Sequence, residues 1–374
     1  MFGKILNVIK NFNDKGLGLL IFFVTDKCNL SCKTCFYWDK LNKGNELSLQ
    51  DIKNFALQIS RFNQLILSGG EPFLRNDLHQ VIQIFVESCG VKEIDIPTNG
   101  LLTEHILCLT EEIVKNNAQT KIVISVSWDG LDAVNKTIRR GLKELDSIRE
   151  TIQGLVKLSS SYKNLEVQIN TVICKDNYRL LRDFLEYLQA QRYLGVKRHL
   201  FEIVRGTPRA AEEAIFAKEE LLELKSTFKK VLDYQDDMFK DTLTIRNNFI
   251  RHLLSGFNYV NLKIIYRLQY DFFSKGAKWP MRCVSSWAGA AVIEHDGDIK
   301  LCELRSKIGN VKDKNFRKSM YGLEAKKERS NIIKNRCSCS HICFIYPSLY
   351  RSVKMVFLRL PFEYLKYLVG AKTW

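Results

Sequence analysis

Three cysteines crowd into eight positions near the start of the chain: Cys28, Cys32 and Cys35, within TDKCNLSCKTCFYW (25–38). Thiolates are soft ligands for iron and zinc. On the spacing Cys-x3-Cys-x2-Cys they are one short of a closed tetrahedral site. Either a fourth ligand lies far away, or one metal position stays open. The stretch SGGEP (68–72) begins 33 positions after Cys35. There Gly69 and Gly70 allow a backbone to approach a ligand closely, and Glu71 can accept hydrogen bonds from an ammonium group. A second group of thiols comes later: Cys283, Cys302, Cys337, Cys339 and Cys343, the last three in CSCSHIC (337–343).

The chain has 374 residues and 11 cysteines, an odd number with no signal-peptide pattern before them. The opening MFGKILNVIKNFNDKG lacks a long apolar core, and LGLLIFFV (17–24) is too short to span a bilayer. Clustered thiols without a secretory signal point to metal rather than disulfides, hence to a reducing cytoplasm. Cys89, Cys108 and Cys174 stand alone in apolar contexts and are expected in the core. The 46% hydrophobic content suffices for one large α/β domain and a smaller module. A net charge of +16 favours an anionic partner.

The thiols need elements to position them. Six strand-like runs are expected at 19–24, 64–68, 93–97, 121–127, 165–173 and 199–204. Amphipathic helices are expected between them at 48–60, 76–88, 103–116, 147–160 and 177–191, with Ser48, Asn76 and Thr103 as N-caps. This rhythm implies parallel β/α units with right-handed crossovers. The cysteine loop, GGEP (69–72), TNG (98–100) and WDG (128–130) all follow strands, where β/α barrels place their chemistry. Helices follow at about 216–236 and 248–273. Asp296-Gly297 signals a hairpin. The expected organisation is an amphipathic segment at 1–16, a partial (β/α)6 barrel at 17–210, a helical connector at 211–280, a small cysteine-rich module at 281–348 and a basic amphipathic tail at 349–374.

CNLSCKTC, SGGEP and the strand rhythm together resemble the radical S-adenosylmethionine (SAM) superfamily over roughly residues 17–210. The resemblance implies a [4Fe–4S] cluster on Cys28, Cys32 and Cys35, with one iron left open for SAM. It implies reductive cleavage of SAM to a 5′-deoxyadenosyl radical that abstracts hydrogen from substrate. Ser68, Gly69, Gly70 and Glu71 would line the methionyl end. Ser127, Asp129 and Asn170 would reach the ribose. The residue before the third cysteine, commonly aromatic in the family, is Thr34, so Phe36 and Tyr37 are the candidates for the adenine wall. A reductant protein such as flavodoxin or ferredoxin is implied as partner.

The later thiols resemble the SPASM/twitch subgroup. Cys-x13-Gly-x4-Cys (283–302) and IGN (308–310) match its extension, whereas five cysteines instead of about seven suit a single auxiliary [4Fe–4S] cluster. Cys283 and Cys302 would be ligands, completed by two of Cys337, Cys339 and Cys343. His341 is a further ligand candidate, or a donor to a sulfide. Glu303 would serve as the base in substrate oxidation. The substrate is open: lipid-linked, small-molecule or peptide, with carbon–carbon or thioether coupling and epimerisation of a peptide as alternative reactions. A barrel that begins near the first residue speaks against an upstream peptide-recognition domain. The enzyme reading expects no specific nucleic acid. The tail, with its basic border, apolar band and Trp374, suits an anionic membrane surface, and FGKILNVIKNF at the amino terminus repeats that character. The opposing expectation is that both ends pack on the barrel and cover its open edge. The non-catalytic alternative for the whole chain is a zinc-stabilised basic protein that binds nucleic acid or membrane.

Overall fold

The computed structural model describes residues 16–141, 146–243, 248–287 and 289–370. The expected amino-terminal segment therefore lies almost wholly outside the described residues, as does Trp374. Six parallel strands alternate with helices: β1 (Leu19–Thr25), α1 (Leu49–Ala56), β2 (Gln64–Gly69), α2 (Leu78–Cys89), β3 (Glu93–Thr98), α3 (Thr103–Asn116), β4 (Lys121–Ser127), α4 (Asp132–Ile138), α5 (Asp146–Ser161), β5 (Leu165–Ile173), α6 (Leu181–Ala190) and β6 (Arg198–Ile203). The partial (β/α)6 barrel is thus formed, and β4 and β5 have the expected bounds. α4, in the loop after WDG, had no periodicity long enough to announce it.

The sequence period explains the two faces. Along β3, Ile94, Ile96 and Thr98 are buried beneath helices, while Glu93, Asp95 and Pro97 point to the barrel interior and are half-buried. At the amino-terminal ends of the strands an alternating chain of charges runs across the sheet. Lys121 lies 3.5 Å from Glu93 and 2.8 Å from Glu166, which lies 2.8 Å from Arg198. Opposite signs on neighbouring strands hold that end together.

Two long helices follow, α7 (Lys218–Thr242) and α8 (Asn248–Lys275), then β7 (Ala290–Ile293), β8 (Asp298–Lys300) and β9 (Lys307–Asn310). The hairpin expected at Asp296-Gly297 joins β7 to β8. Its placement was not expected: β7 pairs in parallel with β1, Leu19 opposite Ala290, so the sheet runs β6-β5-β4-β3-β2-β1-β7-β8-β9. The β1 edge of the barrel is therefore taken by the carboxyl-terminal hairpin. The chain continues through α9 (Phe316–Tyr321), α10 (Leu323–Lys334), α11 (Ile342–Tyr350), a π-helical turn (Met355–Arg359) and α12 (Leu360–Leu368). None of the described helices is long and apolar enough to cross a membrane.

Local expectations fared unevenly. Ser48 does cap α1, in a reciprocal capping box with Asp51. Asn76 does not cap α2, where Asp77 stands at that position. Thr103 lies inside α3, and its hydroxyl turns to Thr151 and the Ser147 carbonyl. Cys89 and Cys174 are buried, but Cys108 is exposed. On α3 the buried positions are Ile106, Leu109, Thr110, Ile113 and Val114, which leaves residue 108 on the opposite face.

Candidate functional site

The first thiol loop leaves β1 and is stitched to its neighbours by backbone. Ser31 N donates to Arg140 O (2.9 Å) and Lys33 N to Ile138 O (2.8 Å), both at the end of α4. Arg209 N donates to Cys35 O and Ala210 N to Lys33 O, each at 3.0 Å, beyond β6. Asn42 clasps the loop from the other side, accepting from Cys28 N at 3.0 Å and donating to Cys28 O at 3.2 Å. Lys33 reaches Asp176 (2.6 Å) after β5 and buried Glu213 (3.3 Å) after β6. The loop is thus held from several sides before any metal arrives.

Burial pushes the Cys28 thiol up to about 12 and Cys35 up to about 11, and the neighbouring thiols push the same way. Cys32 is raised by burial too, against the pull of Arg139. These three thiols are too far apart to share a single ion; buried thiols whose charges feel one another fit a cluster of several metals, which replaces their protons.

Beside them, the backbone of Gly69-Gly70-Glu71 runs hard against Thr25–Lys27. Gly70 N donates to Thr25 O (2.8 Å), and Glu71 N to Lys27 O (2.7 Å). A Cβ at Gly69 would lie 2.1 Å from Thr25 O, and one at Gly70 2.0 Å from Lys27 O; Gly69 also has φ +120. Only glycine fits this ledge. Ser68 sits at the same strand end, opposite Phe23. Glu71 is buried, and burial raises its carboxyl to about 7. Its oxygens accept from Thr98 Oγ1 (2.8 Å), Asn99 N (2.7 Å) and Phe73 N (3.3 Å). Glu71 therefore ties the TNG turn to the ledge, and a ligand ammonium would have to share its oxygens.

Ser127 and Asn170 stand opposite each other on β4 and β5. Asn170 Oδ1 is a buried acceptor with no hydrogen-bond partner, an atom suited to a ligand hydroxyl. Asp129 follows β4, and its Oδ2 also has no hydrogen-bond partner. It is fully buried, 2.9 Å from Arg139, and accepts from Val172 N at 2.8 Å. Phe36 lies under the Arg205 guanidinium, 3.9 Å from ring centroid to carbon. Tyr37 turns away from the thiol loop: it stacks on Phe23 and its hydroxyl meets His295 Nδ1 at 2.7 Å. Arg139, Arg205 and Arg209 place positive charge near the thiols. No sequence motif marked these three, because each comes from a loop distant in the chain.

The later thiols separate into two environments. Cys283, Cys302, Cys337 and Cys339 line one small cavity with Trp279, Leu304, Ile332 and Phe344. Cys283, Cys302 and Cys337 all raise the pKa of Cys339, adding to burial. Among the described residues, no three Cys, His, Asp or Glu side chains stand close enough to share a single ion; these four thiols surround a space. Cys343 does not line that cavity. Burial raises its thiol, as do the nearby carboxylates of Glu202 and Glu303, with Arg205 opposing.

That end of β6 carries a buried polar knot. Arg205 pairs with Glu303 and lies 3.4 Å from Glu202. His341 Nδ1 is 3.3 Å from Glu303, and Ile342 N donates to Glu202 at 2.8 Å. Burial and Arg205 hold His341 neutral, well below its ordinary pKa. Burial raises the Glu303 carboxyl while Arg205 pulls it down. The knot joins the barrel to the carboxyl-terminal module, between one thiol group and the other.

Comparison with known proteins agrees with this geometry. The radical SAM superfamily model matches residues 22–188. An uncharacterised protein of Methanocaldococcus jannaschii is 28% identical over 193 residues, 51% of this chain and 64% of its own length. The GTP 3′,8-cyclase of Aquifex aeolicus is 30% identical over 166 residues, 42% of this chain and 48% of its own. The matched region thus spans between about half and just under two thirds of these curated relatives. Among solved structures, native anSMEcpe with bound AdoMet superposes with TM-score 0.59 at 16% identity, covering 95% of this chain and 97% of its own. Streptococcus suis SuiB bound to precursor peptide SuiA gives 0.55 at 17%, covering 87% and 69%. At these identities the structural likeness concerns the fold. The chain carries a radical SAM superfamily domain, and with it the need for a [4Fe–4S] cluster and SAM that this domain implies.

Proposed function

We propose that the protein is a radical SAM oxidoreductase with two iron–sulfur sites, the first open and the second closed. When bound at the first site, a [4Fe–4S] cluster with one open iron would supply the electron for reductive cleavage of SAM, and so the radical that takes hydrogen from the substrate. Cys28, Cys32 and Cys35 hold it. The Ser68–Gly70 ledge receives the methionyl end, with Glu71 positioning the ledge against the TNG turn. Ser127 and Asn170 receive the ribose, with Asp129 bracing the strand end through Arg139. Phe36 offers the aromatic wall, and Tyr37 fixes the loop behind it.

The observation that carries the reading is the division of the later thiols. Four of them line one cavity, and Cys343 does not. Four thiols close a cluster, and a closed cluster suits electron transfer rather than substrate ligation. Glu303 follows Cys302 directly and meets Arg205 at the end of β6, so a carboxylate and the closed site reach the barrel together. That arrangement suits removal of a proton at Glu303 as the second electron leaves the substrate. A peptide substrate is the second reading, favoured by the fold shared with SuiB, which was solved with its precursor peptide.

Protein purified without oxygen should be brown, with broad absorption at roughly 400 nm, and should carry about eight irons per chain. Cys339→Ala should reduce this to about four, while Cys343→Ala keeps about eight. Colourless protein that holds zinc would overturn the reading. Equal iron loss in both variants would overturn the division of the thiols.

A further inference from the structure

The last described helix shows two unlike faces. Its inner face is docked on α8: Met355, Leu360 and Tyr367 are buried, and Tyr364 Oη donates to Leu253 O at 3.0 Å. Gly256 of α8 makes room for a ring here, since a Cβ there would lie 2.4 Å from Tyr367 Cε1. Glu363 is buried and lies 3.1 Å from Lys263 Nζ, itself buried. The helix is therefore held in a fixed orientation by packing, a buried ion pair and a backbone acceptor.

Its outer face is apolar and exposed. Val353, Leu358, Phe362, Leu365, Leu368 and Val369 are 42–80% exposed. Packing settles what the inner side does, and leaves this stripe turned to solvent along the whole helix. A contiguous apolar surface on a helix otherwise firmly docked marks a binding face. Its charges select the partner. Lys354, Arg359 and Lys366 border the stripe, and Lys366 Nζ lies 4.4 Å over the Phe362 ring, its stem along the apolar face and its ammonium at the rim. Glu363 is the sole carboxylate in 349–370; one of its oxygens lies on Lys263 and the other 3.3 Å from Arg359 and 4.0 Å from Lys366, so a single buried carboxylate faces all three cations. Within 353–369 the outer face thus presents apolar side chains bordered by three cations against one buried carboxylate, on a chain of net charge +16.

We propose that this face seats the protein on an anionic lipid bilayer, in the plane of the interface, with the stripe among the acyl chains and the lysines and arginine at the headgroups. The complementarity is with a surface that is apolar within and negative at its rim. The proposal is independent of the iron sites, and its test needs neither cluster nor substrate. Full-length protein is sedimented with vesicles of phosphatidylcholine and phosphatidylglycerol in equal parts, and with vesicles of phosphatidylcholine alone. It should pellet with the mixed vesicles at low salt and release steeply as salt rises. Binding to the neutral vesicles should be at least tenfold weaker. Phe362→Ser with Leu365→Ser, both at exposed positions, should weaken binding at least tenfold while melting temperature and iron content stay unchanged. Protein that stays in the supernatant at low salt overturns the proposal. So does a double variant that pellets like the wild type. A concentration-dependent dimer that this double variant dissolves, without vesicle binding, would assign the face to a second copy of the chain instead.

Discussion

The two thiol sites share a ligand type and differ in almost everything around it. The first has three cysteines in one loop at the carboxyl end of β1, beside a glycine ledge packed against Thr25–Lys27. Arg205 and Arg209 lie near it, and the unpartnered Asn170 Oδ1 stands across the sheet on β5. The second draws its four cysteines from three separate segments and encloses them with Trp279, Ile332 and Phe344. Thiol number and enclosure change together. An incomplete ligand set is useful only where a second ligand can enter, and a complete one is best kept from solvent. The polar knot of Glu202, Arg205, Glu303 and His341 stands where these two environments meet.

The largest break in this comparison should come from removing the open site alone. Replacing Cys28, Cys32 and Cys35 together with alanine should abolish SAM cleavage and take iron from about eight to about four per chain. The remaining four should keep the spectrum of the closed site. Iron unchanged by the triple replacement would mean that the first thiols bind none.

A smaller effect should expose the knot between the sites. Glu303→Gln should slow formation of oxidised product more than formation of 5′-deoxyadenosine, since hydrogen abstraction comes before proton loss and only the latter uses a base. Equal slowing of both would remove Glu303 from the chemistry and leave it as Arg205's partner. The substitution keeps the side chain's shape, so the auxiliary iron should remain.

The strand ends that carry the first thiols were legible in the sequence and the surroundings of the later thiols only in outline, for a physical reason. Cys28, Cys32, Cys35 and SGGEP lie at consecutive strand ends of one regular repeat, so local spacing already carries their geometry. β4 and β5 could be bounded to the residue because long apolar runs between helices permit little else. No such repeat links Cys283, Cys302 and the knot at 337–343. Spacing left three candidates for two places; Cys337 and Cys339 line the cavity and Cys343, in the first turn of α11, does not. The pairing of β7 with β1 joins residues some 270 apart, and nothing local announces it. Arg139 and Arg205 were missed for the same reason. Cys108 was misplaced because an apolar neighbourhood in sequence is not a buried face on a helix.

A residue remote from both sites sharpens the comparison from outside. His199, on β6, is fully buried; Thr171 Oγ1 lies 2.8 Å from its Nε2 and Tyr234 Oη 3.1 Å from its Nδ1, and it stacks on Phe201. Burial holds its pKa well below the ordinary 6.5. The folded protein therefore keeps the ring neutral where the unfolded chain takes a proton. The resulting stability is present above pH 6.5 and is lost as pH falls below it, by about 1.4 kcal/mol per pH unit. Glutamine at this position does not titrate. His199→Gln should lower stability at pH 7.5 through poorer packing, and the gap to wild type should narrow by about 2 kcal/mol by pH 5. Shifts at Glu71 and Asp95, which run the opposite way, are common to both proteins and cancel in the difference. Denaturant unfolding at the two pH values measures it, and a constant gap would show that His199 is protonated in the fold. Iron content should not change in the variant, because neither thiol site touches this ring.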